Sequence, residues 1–177
     1  AHWITKIYRS AYGIFASNGI LFNHESPLRG ETFVTKKITK ALTRIKLKKQ
    51  KKLFLGNIYS KRDWGHAEDY VEAMWKILNH KSPDDYVIAT NHKITIKEFV
   101  RLACNELNIG LKWRGKGINE KAYDTHGNCI IEIDKRYFRP LEVNNLQGDY
   151  SKAKKILNWK PSRDINALIK DMISHEL

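Results

Sequence analysis

The stretch GILFNHESPLRGETF, residues 19–33, places a dense polar segment directly after an apolar one. Residues 19–22 predict a buried strand, and residues 23–30 then bring Asn, His, Glu, Ser and Arg side chains. In open α/β sheets, ligands bind at the carboxyl ends of the strands, which makes this segment a candidate site. A solvated turn is the alternative, because Asn, Ser, Pro and Gly are common turn residues.

Helix and strand patterns alternate along the rest of the chain and predict an α/β protein. The predicted helices are one that ends at Gly13 and those over 33–48, 66–80, 96–107, 151–161 and 165–177. The predicted strands cover 14–22, 52–56, 86–90, 110–115 and 129–134, and loops are predicted over 57–65 and 117–128.

Two helix starts and one apolar helix face are specific enough to test. Thr95 followed by Glu98 predicts a capping box, and Ser151 is predicted to cap the helix that it begins. The apolar face of the helix over 66–80 is predicted to consist of Val71, Met74, Trp75 and Leu78.

The charge balance favours an anionic partner. The 177 residues carry 32 Lys and Arg against 19 Asp and Glu, a formal net charge of +13. Nucleic acid, a membrane surface and a phosphorylated small molecule all fit that sign. Part of the excess is local, because KLKKQKK at 46–52 is a run more typical of a solvated helix end than of a binding patch.

The two cysteines, Cys104 and Cys129, have neither metal-ligand spacing nor the density of a disulfide framework. They are therefore predicted to be reduced, in a cytoplasmic protein. No charged leader precedes an apolar run, and no apolar run is long enough to cross a bilayer. No metal-binding motif, P-loop or nucleophile elbow is recognisable in the sequence.

Polar residues in the opening stretch have the chemistry of an anion site. Asn23 offers a donor and an acceptor, His24 can donate to a phosphate or a carboxamide, and Arg29 carries a planar fork of donors. Arg62 lies in a second candidate segment, KRDWGHAEDYV, where a local pair with Asp63 is the alternative.

Two further segments carry candidate ligand residues. In YFRPLEVNNLQGD, Pro140 favours an extended Arg139, so that Arg139 and Glu142 can face one ligand; a surface ion pair is the alternative. Lys37 follows a predicted helix start, where an anion is favoured, although most such lysines are merely solvated.

Four segments together resemble the carboxyl-terminal half of the GDP-mannose 4,6-dehydratase family, within the extended short-chain dehydrogenases/reductases. They are NGILFNHESPLRGETFVTKKIT, LGNIYSKRDWGHAEDYVEAMW, DDYVIAT and YFRPLEVNNLQGDYSKAKKILNWKP. The resemblance extends over about residues 1–175 and weakens only in 46–52 and 114–128. It implies an α/β fold, namely the distal part of an NAD(P)-binding Rossmann-type domain together with a substrate-binding subdomain.

The resemblance also implies roles for residues. His24 and Arg29 are expected to reach the cofactor, NADP. Asn23, Val34, Lys37, Arg62, Arg139 and Glu142 are expected to bind the substrate, GDP-mannose. Family members are lyases that make GDP-4-keto-6-deoxy-mannose, a precursor of GDP-fucose, and they form homo-oligomers, dimers or tetramers.

The same resemblance places the catalytic residues outside this sequence. The family's Thr, Glu and the Tyr and Lys of YxxxK all align before Ala1, as does the glycine-rich cofactor loop. The chain is therefore expected to be a fragment that is inactive by itself. The predicted Rossmann elements are 1–24, 52–56 and 66–90, and the predicted sugar-nucleotide subdomain covers 25–51, 57–65 and 91–177.

Two other functions remain open at this point. One is a catalytically dead module that keeps the GDP-sugar site. The other, less favoured, is a basic nucleic-acid-binding protein, which lacks the aromatic and basic interleaving that such proteins use. No membrane association is expected.

Overall fold

The computed structural model describes residues 1–138 and 143–177, and within them the chain forms six α-helices and nine β-strands. The helices are α1 (His2–Tyr12), α2 (Val34–Lys46), α3 (Ala67–Leu78), α4 (Ile96–Glu106), α5 (Ser151–Leu157) and α6 (Ile165–Ser174). The strands are β1 (Asn18–Leu21), β2 (Asn23–Glu25), β3 (Leu53–Leu55), β4 (Lys61–His66), β5 (Asp85–Ile88), β6 (Lys93–Thr95), β7 (Lys112–Arg114), β8 (Lys121–Tyr123) and β9 (Cys129–Ile133).

The chain divides into two compact units, each assembled from three separate segments. Unit 1 consists of Ala1–His24, Asp63–Lys93 and Gln147–Ile165, and unit 2 consists of Glu25–Arg62, Ile94–Leu146 and Asn166–Leu177. These units differ from the predicted division in four places, because 52–56 lies in unit 2, while 63–65, 91–93 and 147–165 lie in unit 1. The predicted cofactor-binding and substrate-binding roles of the two regions stay predictions.

Unit 1 is built on a short parallel sheet. β1 and β5 pair in parallel, with Asn18 opposite Asp85 and Leu21 opposite Ile88. Its core includes three large buried rings, Tyr70, Tyr86 and Trp159. The indole nitrogen of Trp159 donates to the Asp69 carbonyl oxygen at 2.9 Å, so this buried tryptophan keeps its polar atom satisfied.

The predicted apolar face of α3 is the exposed one. Val71, Trp75 and Leu78 are each more than 60% exposed, whereas the buried residues of α3 are Asp69, Tyr70, Ala73 and Ile77. The buried face of α3 also includes a carboxylate, Asp69, whose burial depends on partners far away in the sequence, so hydrophobic periodicity alone does not identify it.

α1 ends at Gly13 as predicted, in the left-handed conformation with φ +64°, and it has no buried residue.

Unit 2 contains a four-stranded mixed sheet in the order β3-β9-β8-β7. β3 and β9 are parallel, and β8 is antiparallel to both of its neighbours. α2 packs against α4, and the buried apolar residues of this unit include Ile38, Leu42, Phe99, Val100 and Ile131.

Two predicted loops are wrong. The loop predicted over 57–65 contains most of β4, and the loop predicted over 117–128 contains β8. Neither strand, KRDWGH or KAY, has the run of β-branched and apolar residues that marks a strand locally. The pairing of β8 with β9, which depends on tertiary contacts, defines it.

The predicted cap of α4 is confirmed, and the predicted cap of α5 is wrong. The Thr95 hydroxyl accepts the Glu98 N–H at 3.0 Å and so caps α4 as predicted. The Glu98 carboxylate does not complete the capping box, because it accepts from Arg101 at 2.8 and 2.6 Å. Ser151 does not cap α5; it is the first helical residue, and its N–H donates to the Asp149 carboxylate at 2.8 Å.

Across the described ranges 1–138 and 143–177, the search for a helix with the length and apolar character to cross a membrane finds none. The same described residues contain no cluster of three or more His, Cys, Asp or Glu side chains able to hold a metal ion. Cys104 and Cys129 are both free thiols.

Candidate functional site

Asp63 connects three parts of unit 1. One carboxylate oxygen accepts from the Thr90 N–H at 2.9 Å and from the Thr90 hydroxyl at 2.6 Å. The other accepts from the Gly148 N–H at 3.2 Å, and the side chain is fully buried. The local pair with Arg62 considered from the sequence is therefore not the main role of Asp63.

Asn23 and His24 are positioned by backbone groups of unit 1. The Asn23 amide donates to the Asp63 carbonyl oxygen at 3.2 Å. The His24 Nδ1 atom lies 2.9 Å from the Phe22 carbonyl oxygen, and because a carbonyl only accepts, Nδ1 carries the proton. The neutral ring then presents Nε2 as an acceptor, which suits a carboxamide N–H; donation to a phosphate requires the protonated ring.

Arg29 belongs to unit 2 and is held on two sides. Its Nε atom lies 3.2 Å from a carboxylate oxygen of Glu25, which is itself 3% exposed. Its guanidinium carbon lies 3.4 Å from the centre of the Phe33 ring. Thr35 also donates to Glu25, at 2.7 Å. The ion pair with Glu25 and the stacking on Phe33 thus hold the guanidinium, while Nε finds no hydrogen-bond acceptor among the described residues.

Val34 and Lys37 lie in the first turn of α2, also in unit 2. Phe33 is the N-cap and provides no side-chain hydrogen bond, so the helix start lacks a side-chain acceptor of its own. The Lys37 ammonium lies 3.6 Å from the centre of the Tyr137 ring. Gly56 helps to hold Tyr137 close, because a Cβ at Gly56 would lie 2.3 Å from the Tyr137 carbonyl oxygen.

A cavity of about 300 Å³ lies beside α2 in the same unit. The polar residues that line it are Glu31, Lys37, Lys40, Arg44, Gln50 and Lys52, and the aromatic residues that line it are Phe54 and Tyr137. Among the predicted substrate residues that the structure describes, Lys37 lines this cavity. We call this cavity the α2 pocket.

Arg62 is fixed beside the segment that follows residues 139–142. Its guanidinium donates to the Lys61 carbonyl oxygen at 2.9 Å and to the Val143 carbonyl oxygen. The neighbouring backbone is also paired, since Lys61 N–H donates to Asn144 at 2.9 Å and Leu146 N–H donates to Lys61 at 3.1 Å. The other two predicted substrate residues of this segment, Arg139 and Glu142, lie outside the described residues.

The predicted residues are thus divided between the units. Asn23 and His24 lie in unit 1, and Arg29, Val34, Lys37 and Arg62 lie in unit 2. Within unit 2, Arg29 contacts Glu25 and Phe33, Lys37 contacts Tyr137, and Arg62 contacts the carbonyl oxygens of Lys61 and Val143. Sequence reasoning missed the supporting residues Asp63, Glu25 and Tyr137. The signal was present for Asp63, which stands within a candidate motif, whereas nothing local marks Tyr137 as the partner of Lys37.

Comparison with known proteins identifies the family of this chain. The sequence model of the family described as GDP-mannose 4,6 dehydratase matches residues 1–172. The chain belongs to the GDP-mannose 4,6-dehydratase family. This confirms the family resemblance on which the site residues were predicted, while the individual residue roles stay predictions.

Two curated members of the GDP-mannose 4,6-dehydratase family illustrate the similarity. The chain is 54% identical over 177 residues to GDP-mannose 4,6 dehydratase 1 of Arabidopsis thaliana, covering all of this chain and 45% of that protein. It is 48% identical to GDP-mannose 4,6-dehydratase of Sinorhizobium fredii, again over all of this chain and 51% of that protein. The chain therefore spans about half the length of the curated relatives that it matches, consistent with a fragment.

Solved structures confirm the predicted α/β fold class. RMD from Pseudomonas aeruginosa, solved with NADPH, matches with a TM-score of 0.78 at 18% identity, over 99% of this chain and 52% of that one. The dTDP-glucose 4,6-dehydratase of Bacillus anthracis, solved with NAD, matches with a TM-score of 0.75 at 18% identity, over 98% and 48% of the two chains.

Proposed function

We propose that this chain provides the sugar-nucleotide-binding part of a GDP-mannose 4,6-dehydratase. The observation that carries the proposal is the family match over residues 1–172, together with cationic side chains at the expected substrate positions. The complete enzyme would convert GDP-mannose to GDP-4-keto-6-deoxy-mannose, a lyase reaction on the route to GDP-fucose.

Each predicted substrate residue has a chemical role that suits the diphosphate sugar. Lys37 and the Val34 backbone at the start of α2 favour an anion, because helix N-termini and ammonium groups both attract phosphate. Arg62 offers a fixed guanidinium, Asn23 an amide at the diphosphate, and Arg139 a second guanidinium. Glu142 can accept from N1 and N2 of guanine, which distinguishes guanine from adenine and uracil.

The proposed cofactor is NADP, and its chemistry when bound is the transfer and return of a hydride. The residues fit such a group in part, because His24 presents Nε2 as an acceptor and Arg29 retains its terminal donors. His24 would orient a carboxamide and Arg29 would bind a phosphate. Most cofactor contacts would come from the part of the family fold that aligns before Ala1.

The proposal also covers the oligomeric state, the cellular compartment and the location of the catalytic residues. The complete enzyme would be a homo-oligomer in the cytoplasm, and the catalytic residues would lie outside this chain. A purified 177-residue chain would then show no dehydratase turnover. Measurable conversion of GDP-mannose by this polypeptide alone would contradict the assignment of the catalytic residues.

Titration calorimetry with GDP-mannose tests the binding role directly. Lys37→Gln and Arg62→Gln should each weaken binding by about tenfold, because each removes one charge-assisted contact. The matched controls are Lys46→Gln, at the exposed end of the same helix, and Arg101→Gln, an exposed arginine of α4. A folded chain that binds no GDP-mannose at millimolar concentration would refute the proposal.

The second candidate is a catalytically dead GDP-sugar-binding module, favoured by the coverage of only about half of each relative. Mixing the chain with the separately produced amino-terminal half of a relative distinguishes the two. Turnover that appears only in the mixture supports a dehydratase part, and binding without turnover supports a binding module. A nucleic-acid role predicts duplex DNA binding that survives physiological salt, and we expect salt to abolish it.

A further inference from the structure

The α2 pocket concentrates positive charge along one helix face. Lys37, Lys40 and Arg44 follow each other at spacings of three and four residues, so they project from the same side of α2. Lys52 lines the pocket from another segment, next to β3. Among the described residues that line the pocket, Glu31 is the one acid.

The acids near the pocket do not balance its cations. Glu31 pairs with Lys40, and that hydrogen bond lowers the pKa of Glu31. Glu132 accepts from Lys52 at 3.0 Å but also from Lys121 at 3.1 Å, so one carboxylate serves two lysines. Among the described residues, Arg44 forms no ion pair with a carboxylate, and Lys37 rests on the Tyr137 ring instead.

A bound anion would reduce the repulsion between neighbouring cations of α2. Lys40 and Arg44 are like charges four residues apart, a spacing at which they repel each other and weaken the helix. A bound polyvalent anion would turn that repulsion into several charge-assisted contacts. Phe54 and Tyr137 are 39% and 48% exposed, so the pocket also offers partly accessible ring surface.

The far end of the pocket is distinct from the predicted substrate residues. Arg44, Gln50 and Lys52 line the pocket and are not among those residues. A volume of about 300 Å³ admits a small molecule rather than a polymer. We propose that Arg44, Gln50 and Lys52 of the α2 pocket form a second anion site, which binds a small diphosphate or phosphate ester separately from the sugar nucleotide.

The test is calorimetric titration of the 177-residue chain with inorganic pyrophosphate. Arg44→Gln should weaken pyrophosphate binding by about tenfold or more, since it removes one guanidinium contact. Lys46→Gln is the matched control, because it removes the same charge from the same helix outside the pocket, and we expect a change within about twofold. Both residues are exposed, and a thermal melt of each variant verifies that it is folded.

Three results would overturn the proposal. They are the absence of pyrophosphate binding at millimolar concentration, equal losses in the two variants, and binding of duplex DNA in place of pyrophosphate.

A competition experiment with GDP-mannose distinguishes this second site from the substrate site. Pyrophosphate that still binds Arg44-dependently under saturating GDP-mannose supports a second site, whereas full displacement by GDP-mannose refutes it. If GDP-mannose fails to bind and pyrophosphate binds Arg44-dependently, the proposed function fails while the second anion site stands.

Discussion

At the scale of single residues, the two buried carboxylates Asp63 and Asp69 connect separate segments of unit 1 through hydrogen bonds. Asp63 accepts hydrogen bonds from Thr90 and Gly148, and Asp69 accepts from Ser162 and Arg163. Both are almost completely buried. A buried carboxylate is stable only when its lone pairs are satisfied, so each of these contacts fixes a loop to a strand or helix.

Replacing Asp63 with Asn should lower the free energy of unfolding by about 3 kcal/mol, because the amide presents donors where the site also offers donors. Urea denaturation measures the change. Glu72→Gln is the control, since it breaks only a surface pair with Lys76 and should cost about 0.5 kcal/mol or less. Equal effects of the two substitutions would contradict the role assigned to Asp63.

Asp85 should make stability depend on pH in the acid range. Burial alone would raise the pKa of Asp85, but the hydrogen bonds from Arg9 and Asn18 outweigh it and lower the pKa from 3.8 to about 2. A lowered folded-state pKa stabilises the protein above the unfolded-state pKa, and that contribution is lost as the pH falls through the folded value.

The difference in pKa corresponds to about 2 kcal/mol. This stabilisation should be complete above about pH 5 and disappear between about pH 4 and pH 2. Denaturation curves of the wild type and Asp85→Asn over this range measure it, and the gap between the two proteins should narrow at low pH. A gap that stays constant down to pH 2 would show that the Arg9–Asp85 pair is not its source.

At the scale of elements, a helix cap could be predicted from the sequence where its donor and acceptor are close together in the chain. The cap of α4 was predicted because Thr95 and Glu98 are three residues apart. Thr95→Ala should lower stability by about 1 kcal/mol, and Thr95→Ser should keep most of it, as denaturant titration would show. Equal losses for both variants would indicate that packing of the Thr95 methyl group, rather than the cap, is responsible.

Strands and buried helix faces that depend on partners far away in the chain could not be predicted from the local sequence. β4 and β8 were predicted as loops, because neither has a run of β-branched and apolar residues and their partners lie elsewhere in the chain. The exposed face of α3 was predicted as its apolar side, since periodicity does not reveal that Asp69 binds Ser162 and Arg163, more than 90 residues later. The site residues came from the family motifs, and their supporting contacts came from the fold.

At the scale of the whole molecule, unit 1 exposes two apolar helix faces. On α1, Trp3 and Ile7 are 72% and 60% exposed, and on α3, Trp75 and Leu78 are 67% and 66% exposed. Exposed apolar surface of this extent favours association. We expect the isolated chain to self-associate at micromolar concentration in light scattering, and Trp3→Lys with Trp75→Lys to reduce it. A monomeric wild type with a cooperative melt would contradict this expectation.

The segment order of the two units constrains how the chain folds during synthesis. The Asp63 carboxylate and the Gly148 N–H are 85 residues apart, and unit 1 draws its last segment from 147–165. Unit 2 takes its own last segment from 166–177. Unit 1 therefore cannot close before residues 147–165 have been synthesised, and unit 2 cannot close before residues 166–177 have been synthesised. Contacts of such long sequence separation slow folding, and the earlier segments of both units stay exposed until their later partners are available.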